Sequence, residues 1–376
     1  MKKIVGIIAA VTMAASVFAV DLASMIQIDG DLLKYNKDDG LKALMAKDYD
    51  PTGDSDYVWK MSASGDKAGA EIWYYTDDGK VAKDAYLKNY KVWFSPIDAL
   101  KITIGNVGGQ SIAQPNFGWW AQSIQNYDYG YQAEFTYDAL YAKLALEPGA
   151  SSYWFDNSQK GLAKIGGFWA EVKYNFGSYG TVQAIATRNG TIGAHGFSNW
   201  NKTPWAFGIA YTNMPYGSTG YYADVVASFT SKQVNKTDDH KEIVLQGVDS
   251  QFGGQWMYNG IGLRLTNLVQ YRLENGYNIG KGNKETGIAL GKGYLSYGFE
   301  FKGSYAFDAV APYIQIDGYN ITQKELKEDK CNMEVRVGAD FSIGAATMWA
   351  ALSLPIRFDE PYKFNFSVPC QITLNL

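Results

Sequence analysis

The sequence predicts an all-β protein, a transmembrane antiparallel up-and-down β-barrel of about 18 strands, with about 16 strands as the alternative. Three observations predict this fold. Apolar and polar residues alternate over long runs, the connections between these runs alternate between short and long, and no long apolar run follows residue 19. A closed barrel satisfies every backbone N–H and C=O group inside a bilayer, so it can span a membrane without a membrane helix.

The first 19 residues have the pattern of a secretory signal peptide. Lys2 and Lys3 precede an apolar stretch, and Val17-Phe18-Ala19 provides the small residues of a cleavage site. We therefore expect residues 1–19 to be removed and residues 20–376 to form the barrel. The alternative is a membrane anchor, which the shortness and the alanine content of the stretch disfavour.

The composition favours strands. The chain of 376 residues contains 28 Tyr, 18 Phe, 11 Trp and 40 Gly but only 10 Pro. Aromatic residues are enriched in strands and in the girdles of membrane barrels. The net charge of -4 and the lack of basic runs indicate no affinity for nucleic acid.

Alternation is clearest at the end of the chain. From Phe364 to Leu376 every second residue is apolar, and polar residues stand between them, with Pro369 as the one interruption. The same period of two recurs at 332–343, 294–307, 168–175 and 131–137. Several runs reach about ten residues, the length that a tilted strand needs to cross a bilayer. Strands of soluble proteins are usually about five or six residues long.

The predicted strands are separated by tight turns and longer loops in almost strict alternation. Outer-membrane barrels have short turns on the periplasmic side and longer loops on the other side. The weakest assignments are the pair 57–64 and 68–76 and the last short loop, 357–362. The predicted strands are 22–34, 57–64, 68–76, 86–95, 100–106, 130–137, 140–147, 164–175, 180–188, 204–212, 220–231, 242–258, 260–273, 293–306, 311–320, 332–343, 347–356 and 363–376.

Taken together, these features resemble the general and substrate-specific porins of bacterial outer membranes, over the whole chain after residue 19. The resemblance implies outer-membrane lipid and small hydrophilic solutes as partners, and it allows a homotrimer. The final segment, 363–376, resembles the assembly signal of that family, which implies the barrel-assembly machinery as a partner. It departs from the family in ending on Leu376, where Phe or Trp is usual.

The resemblance also implies that the long loop 107–129 folds into the barrel and narrows it. From Gly108 the loop reads GGQSIAQPNFGWWAQSIQNYDY, which is rich in aromatic and amide side chains and almost uncharged. Two interpretations of its aromatic residues stay open. They form a stacking platform for sugar rings, or they anchor the loop and contribute to the interfacial girdle, and the second is favoured. The candidate constriction and solute contacts are Asn116, Phe117, Trp119, Trp120 and Gln122.

If the apolar face of each strand meets lipid, the opposite face points into the barrel. A Lys or Arg that faces lipid at mid-depth costs about 2–4 kcal/mol, and a dry core holds many charges only as pairs. The sequence therefore predicts a water-filled interior of weak ion selectivity, because the two signs are balanced. Paired structural charges in a plugged lumen are the alternative. The predicted lumen charges are Glu71, Lys91, Lys101, Glu134, Lys143, Glu171, Lys173, Arg264, Arg272, Glu300, Lys302, Glu334, Arg336 and Asp340.

The sequence contains little that suggests an enzyme. Both histidines, His195 and His240, fall in predicted loops, and no G-x-S-x-G elbow is present. We predict no cofactor and no metal site. The leading function is a channel for passive diffusion of small hydrophilic solutes. The alternatives are a sugar-selective channel, a non-conducting surface adhesin or structural barrel, and a soluble exported β-protein.

Overall fold

The structure of the chain is a computed structural model. It describes residues 21–37, 40–42, 57–76, 86–107, 127–147, 167–188, 205–214, 218–233, 241–272, 277–278, 289–290, 294–319, 332–357 and 364–375. The predicted signal peptide and the predicted constriction residues of 107–129 lie outside these ranges, except for the two ends of that loop. Within the described ranges, no helix is long and apolar enough to cross a membrane.

The described residues form a closed antiparallel barrel of 18 strands, which confirms the predicted fold class and strand number. Each strand pairs with its neighbours in sequence. In chain order the strands β1 to β18 are Asp21–Asn36, Tyr57–Ser64, Ala68–Thr76, Tyr86–Ile97, Leu100–Val107, Tyr127–Tyr137, Leu140–Glu147, Gly167–Asn175, Thr181–Arg188, Trp205–Thr212, Gly220–Gln233, Lys241–Tyr258, Ile261–Arg272, Tyr294–Tyr305, Val310–Tyr319, Asn332–Ile343, Ala346–Arg357 and Phe366–Asn375.

The barrel closes where β1 pairs with β18. The pairing runs from Met25 opposite Asn375 to Tyr35 opposite Phe366, with a register shift between Asp31 and Lys34. A short strand, Gly40–Lys42, folds back on the end of β1. Tyr277–Asn278 pairs with Ala289–Leu290 as a separate two-stranded sheet. The strands β2 and β3, whose assignment from the sequence is among the weakest, are present at the predicted bounds.

Short turns lie at one end of the barrel. Asn259 and Gly260 form a two-residue connection in which both φ angles are positive, 46° and 82°. This is the geometry of a type I′ hairpin turn, for which Asn-Gly is a preferred pair. Asp138 begins another two-residue connection and also has a positive φ, 50°. Because the strands are antiparallel, all the connections of this kind gather at the same end, as the sequence predicted. They are 65–67, 98–99, 138–139, 176–180, 259–260, 306–309 and 344–345, and the described residues 213–214 and 218–219 lie at this end as well.

The two faces of the sheet differ in polarity. One face carries the large apolar side chains, such as Ile209 and Ile314, which are well exposed. On the other face, side chains two strands apart meet: Tyr222 Oη donates to Thr266 Oγ1 at 2.7 Å across β12. Side chains converge in this way on the concave side of a closed sheet, so the polar face is the inner one. The outer face is apolar, as contact with lipid requires.

An aromatic band lines the short-turn end of the outer face from β6 to β14. Its members flank the turns and are among the more exposed large side chains of the described chain. Aromatic girdles of this kind mark the boundary between hydrocarbon and water in membrane barrels. The band contains Tyr137, Tyr174, Phe176, Tyr179, Tyr221, Tyr258, Tyr305 and Phe307.

Candidate functional site: the inner face of the barrel

The inner face of β2 to β4 carries a cluster of alternating charges. Glu71 lies between two lysines, with Lys60 Nζ at 2.8 Å and Lys91 Nζ at 3.0 Å from its carboxylate oxygens. Trp73 Nε1 donates a hydrogen bond of 2.8 Å to the same carboxylate. The strand period of two puts Glu71 and Trp73 on one face, and the register places Lys91 directly opposite Glu71. The two lysines and the indole N–H therefore hold the carboxylate of Glu71 in one position on the inner wall.

The cluster continues around the wall through β5 to β7. Lys101 Nζ lies 3.5 Å from Glu134, and Tyr141 Oη donates a 2.7 Å hydrogen bond to the other carboxylate oxygen. Lys101, Glu134 and Lys143 are successive partners across these three strands. Lys101 is the most solvent-exposed member, whereas Lys143 is nearly buried.

Glu171 on β8 is the most deeply buried charge of this wall. Its side chain has no exposed surface and lies between Lys143 Nζ at 3.2 Å and Lys173 Nζ at 2.9 Å. Trp169 Nε1, also fully buried, donates a 2.6 Å hydrogen bond to it. A buried carboxylate needs such partners, because its desolvation otherwise costs several kcal/mol.

The wall of β13 to β16 carries a second network in which carboxylates dominate. Arg264 Nη2 lies 2.5 Å from Glu300. Gln315 Nε2 donates at 2.9 Å to Asp317 and at 3.3 Å to Glu300. Arg336 Nε lies 2.6 Å from Glu334. Since these residues occupy neighbouring register positions, the network extends across adjacent strands.

Lys302 extends this second network across β15. Its Nζ lies 3.3 Å from Asp340 on β16 and 3.9 Å from the centroid of the Tyr313 ring on the strand between. An ammonium group above an aromatic face gains a cation–π attraction in addition to its ion pair. This contact also belongs to the concave side of the sheet.

The two walls differ in net charge. Among the described side chains, the inner face of β2 to β8 has five lysines and three glutamates, an excess of two positive charges. The inner face of β11 to β16 has six carboxylates and three basic groups, an excess of three negative charges. In a ring of 18 strands these two sectors face each other, so the interior is positive on one side and negative on the other.

A polar cavity of about 510 Å³ opens on the positive wall. It is lined by the paired groups Glu71, Lys91, Lys101 and Glu134, and by the indole ring of Trp93. The remaining lining residues are mostly hydroxyl, amide and small side chains. Hydrogen-bond donors, acceptors and an aromatic ring therefore surround one volume of the inner wall.

A second part of the inner face is apolar and buried, in contrast to the charged part around Lys91 and Lys101. Six residues pack together there at 0–4% exposure. They lie on the inner face of β5 and of β7 to β11. Each is in phase with Lys101, Lys143 or Glu171, either along its own strand or through the strand register. Trp169 belongs to this buried sector and donates a hydrogen bond to the ion-paired Glu171, so the charge lies at its edge. The six residues are Val107, Ala145, Trp169, Ile185, Ala206 and Val226.

Of the 14 predicted lumen charges, 13 have described side chains, and each of these forms an ion pair on the inner face. Arg272 lies in β13, but its side chain is outside the described part of the structure. Asn116, Phe117, Trp119, Trp120 and Gln122 are also outside it. Contact between these five residues and a solute therefore stays a prediction.

Sequence reasoning overlooked the inward-facing aromatic residues. It assigned aromatic residues to the girdle or to the loop, yet Trp73, Trp93 and Trp169 lie on the inner face. Each stands two residues from a predicted lumen charge, namely Glu71, Lys91 and Glu171. The strand period of two would have identified them. Among the described residues, no group of three or more His, Cys, Asp or Glu could hold a metal ion.

The comparison with solved structures finds outer-membrane barrels. The outer membrane protein OpdK from Pseudomonas aeruginosa aligns with 95% of this chain and 99% of its own length, at 9% identity and a TM-score of 0.54. OccAB4 from Acinetobacter baumannii aligns with 95% of this chain and 98% of its own length, at 9% identity and a TM-score of 0.53. A variant of OccD1 (OprD) covers 95% of both chains, at 9% identity and a TM-score of 0.52.

The chain has the fold of outer-membrane porins. At this level of identity the similarity concerns the porin fold alone. No protein-family model and no curated protein sequence matches the chain. The functional argument therefore depends on the residues of this barrel.

Proposed function

We propose that this protein is an outer-membrane channel through which small hydrophilic solutes diffuse passively. The observation that carries the proposal is the contrast between the two faces of the closed sheet. The outer face is apolar, whereas the inner face carries the ion-paired charges described above. A barrel of this strand number is wide enough to hold an aqueous channel. A hydrated interior is the environment in which partly exposed ion pairs such as Lys101–Glu134 are tolerated.

The segment 107–129 is proposed as the element that narrows the channel. The position of the two described ends of the segment on the barrel wall supports this assignment. Val107 belongs to the buried apolar part of the inner face and pairs with Tyr127, so both ends of the segment lie at the edge of that part. In this proposal Asn116, Phe117, Trp119, Trp120 and Gln122 contact the solute or anchor the segment to the wall.

The charge distribution leads us to expect weak selectivity between ions. Each described charge of the predicted set has a partner of opposite sign, and the excess charges of the two walls nearly cancel. An ion on the axis would therefore meet a field directed across the channel rather than a net barrier.

The cellular setting belongs to the same proposal. Residues 1–19 direct export, the barrel lies in the outer membrane, and the final strand region 363–376 is recognised by the assembly machinery. Catalysis is not part of the proposed role. A homotrimer is the proposed assembly, and chemical cross-linking in native membranes would test it.

The deciding measurement is single-channel conductance of the refolded chain 20–376 in a planar bilayer. Discrete current steps that scale with salt concentration are the expected result. Block by maltodextrins that is lost in the variant Trp119→Ala/Trp120→Ala would favour the sugar-selective form of the channel. A folded barrel that never conducts would refute the channel and favour the adhesin or structural role.

A further inference from the structure

Trp93 is held flat against the inner wall by a glycine. Gly69 on β3 lies directly opposite Trp93 on β4 in the strand register. A Cβ atom on Gly69 would overlap three indole atoms, Cζ2, Cε2 and Nε1. Any other residue at position 69 would therefore push the ring away from the wall. Because Gly69 has no Cβ atom, the indole ring of Trp93 can pack directly against the backbone of β3.

The ring faces a volume bordered by two ion pairs. Trp93 lines the polar cavity of about 510 Å³ together with Glu71, Lys91, Lys101 and Glu134. Lys101 Nζ lies 5.3 Å from the centroid of the indole ring. The pair Lys91–Glu71 spans 3.0 Å and the pair Lys101–Glu134 spans 3.5 Å. The indole ring thus lies between two ion pairs, each of which offers an ammonium donor next to a carboxylate acceptor.

We propose that this cavity is a binding subsite for neutral sugars in the wall of the channel. A pyranose ring stacks its C–H face on Trp93, while its hydroxyls accept hydrogen bonds from Lys91 and Lys101 and donate hydrogen bonds to Glu71 and Glu134. The inference rests on the proposed channel function, because the solute must first enter the barrel. It assigns sugar contact to the wall rather than to the loop residues Trp119 and Trp120.

The pairing of the charges selects for neutral solutes. A hydroxyl group both accepts and donates, so it satisfies an ammonium and a carboxylate without separating them. A charged solute would have to compete with the existing partner of whichever group it approached. The excess positive charge of this wall is spread over five lysines, each within an ion pair or beside one.

Trp73 is a second tryptophan on the inner face of the same wall. Its N–H donates to Glu71, and Lys60 Nζ lies 4.9 Å from its ring centroid. It is not part of the cavity lining. Trp349 on β17 offers a second comparison, since it lies on the inner face opposite Asp340, beside the negative wall of β11 to β16.

The test is block of single-channel current by maltotriose in the full mature chain. Saturable block is expected for the wild type and little block by a polyethylene glycol of similar mass, which has no ring face to stack. Trp93→Ala should weaken the block by about tenfold or more, which is about 1.4 kcal/mol. Trp93→Phe should keep most of it, and Gly69→Ala should weaken it while the open-channel conductance changes little. Trp349→Ala is the matched control and should leave the block unchanged.

Each other outcome overturns the subsite. Normal conductance without saturable maltotriose block, or block that Trp93→Ala leaves intact, would refute it while the channel function stands. Equal loss in Trp93→Ala and Trp349→Ala would indicate a general change in pore shape. Stronger block by gluconate than by maltotriose would assign the cavity to anions. A wild-type barrel that does not conduct would instead refute the proposed function itself.

Discussion

Replacing Glu171 by Gln removes the central charge of a buried cluster and should destabilise the barrel by about 3 kcal/mol. The carboxylate lies 3.2 Å from Lys143 Nζ and 2.9 Å from Lys173 Nζ. At these distances each attraction is worth about 5 kcal/mol for an effective dielectric constant of about 20. Desolvation of the carboxylate and repulsion between the two lysines offset much of this sum. The net cost arises because Lys143, whose side chain is only 8% exposed, loses its main counter-charge in the variant.

The assay is urea unfolding of the refolded barrel in detergent micelles, followed by tryptophan fluorescence. The double variant Glu171→Gln/Lys143→Met should recover most of the loss, because it removes both buried charges together. Glu134→Gln is the matched control: its partner Lys101 is 44% exposed, so the cost should be about 0.2–1 kcal/mol. If Glu171→Gln costs no more than Glu134→Gln, the reasoning fails, and water reaches this part of the inner wall.

Three further predictions concern the lipid-facing surface, the charge of the inner wall and the strand register. Ile314→Arg puts a charge on the lipid face in mid-strand and should cost about 2–4 kcal/mol in the same unfolding assay, whereas Ile343→Arg at the turn end of β16 should cost about 1 kcal/mol or less. Lys91→Glu removes the excess positive charge of its wall, so the reversal potential in a potassium chloride gradient should shift toward cation selectivity; an unchanged potential would show that this wall does not face the conduction path. Gly105→Ala should cost at least about 1–3 kcal/mol, since φ is 114° there and a Cβ would overlap the carbonyl oxygen of Tyr90; a stable variant would contradict the register of β4 and β5.

The fold was predictable because two of its determinants are local. Period-two alternation reports which face of a strand meets lipid, and turn chemistry reports where a strand ends. Asn259-Gly260 is a clear example, since a pair that favours positive φ appears as a two-residue type I′ turn. The strands 57–64 and 68–76 were predicted with the same bounds although their alternation is weaker.

The arrangement inside the barrel was only partly predictable. Alternation identifies Glu171 as inward-facing, but it does not show that its partner Trp169 belongs to a buried cluster with residues of distant strands such as Val226. The packing of the Trp93 ring against the wall depends on Gly69, which is its neighbour only through the register of β3 and β4. Sequence patterns give the direction of a side chain, whereas its partners across strands require the register.

The closure of β1 against β18 has a consequence for how this protein is made. The seam joins Met25 to Asn375, so its two sides lie about 350 residues apart in the chain. Until the last strand arrives, both edges of the sheet carry unpaired backbone groups, which invite aggregation in water and are not tolerated in lipid. Contacts of such long range form slowly. We therefore expect biogenesis to be all-or-none: a chain that ends before β18 loses its membrane-compatible state as a whole, and the unfolded chain needs escort until its final strand is delivered.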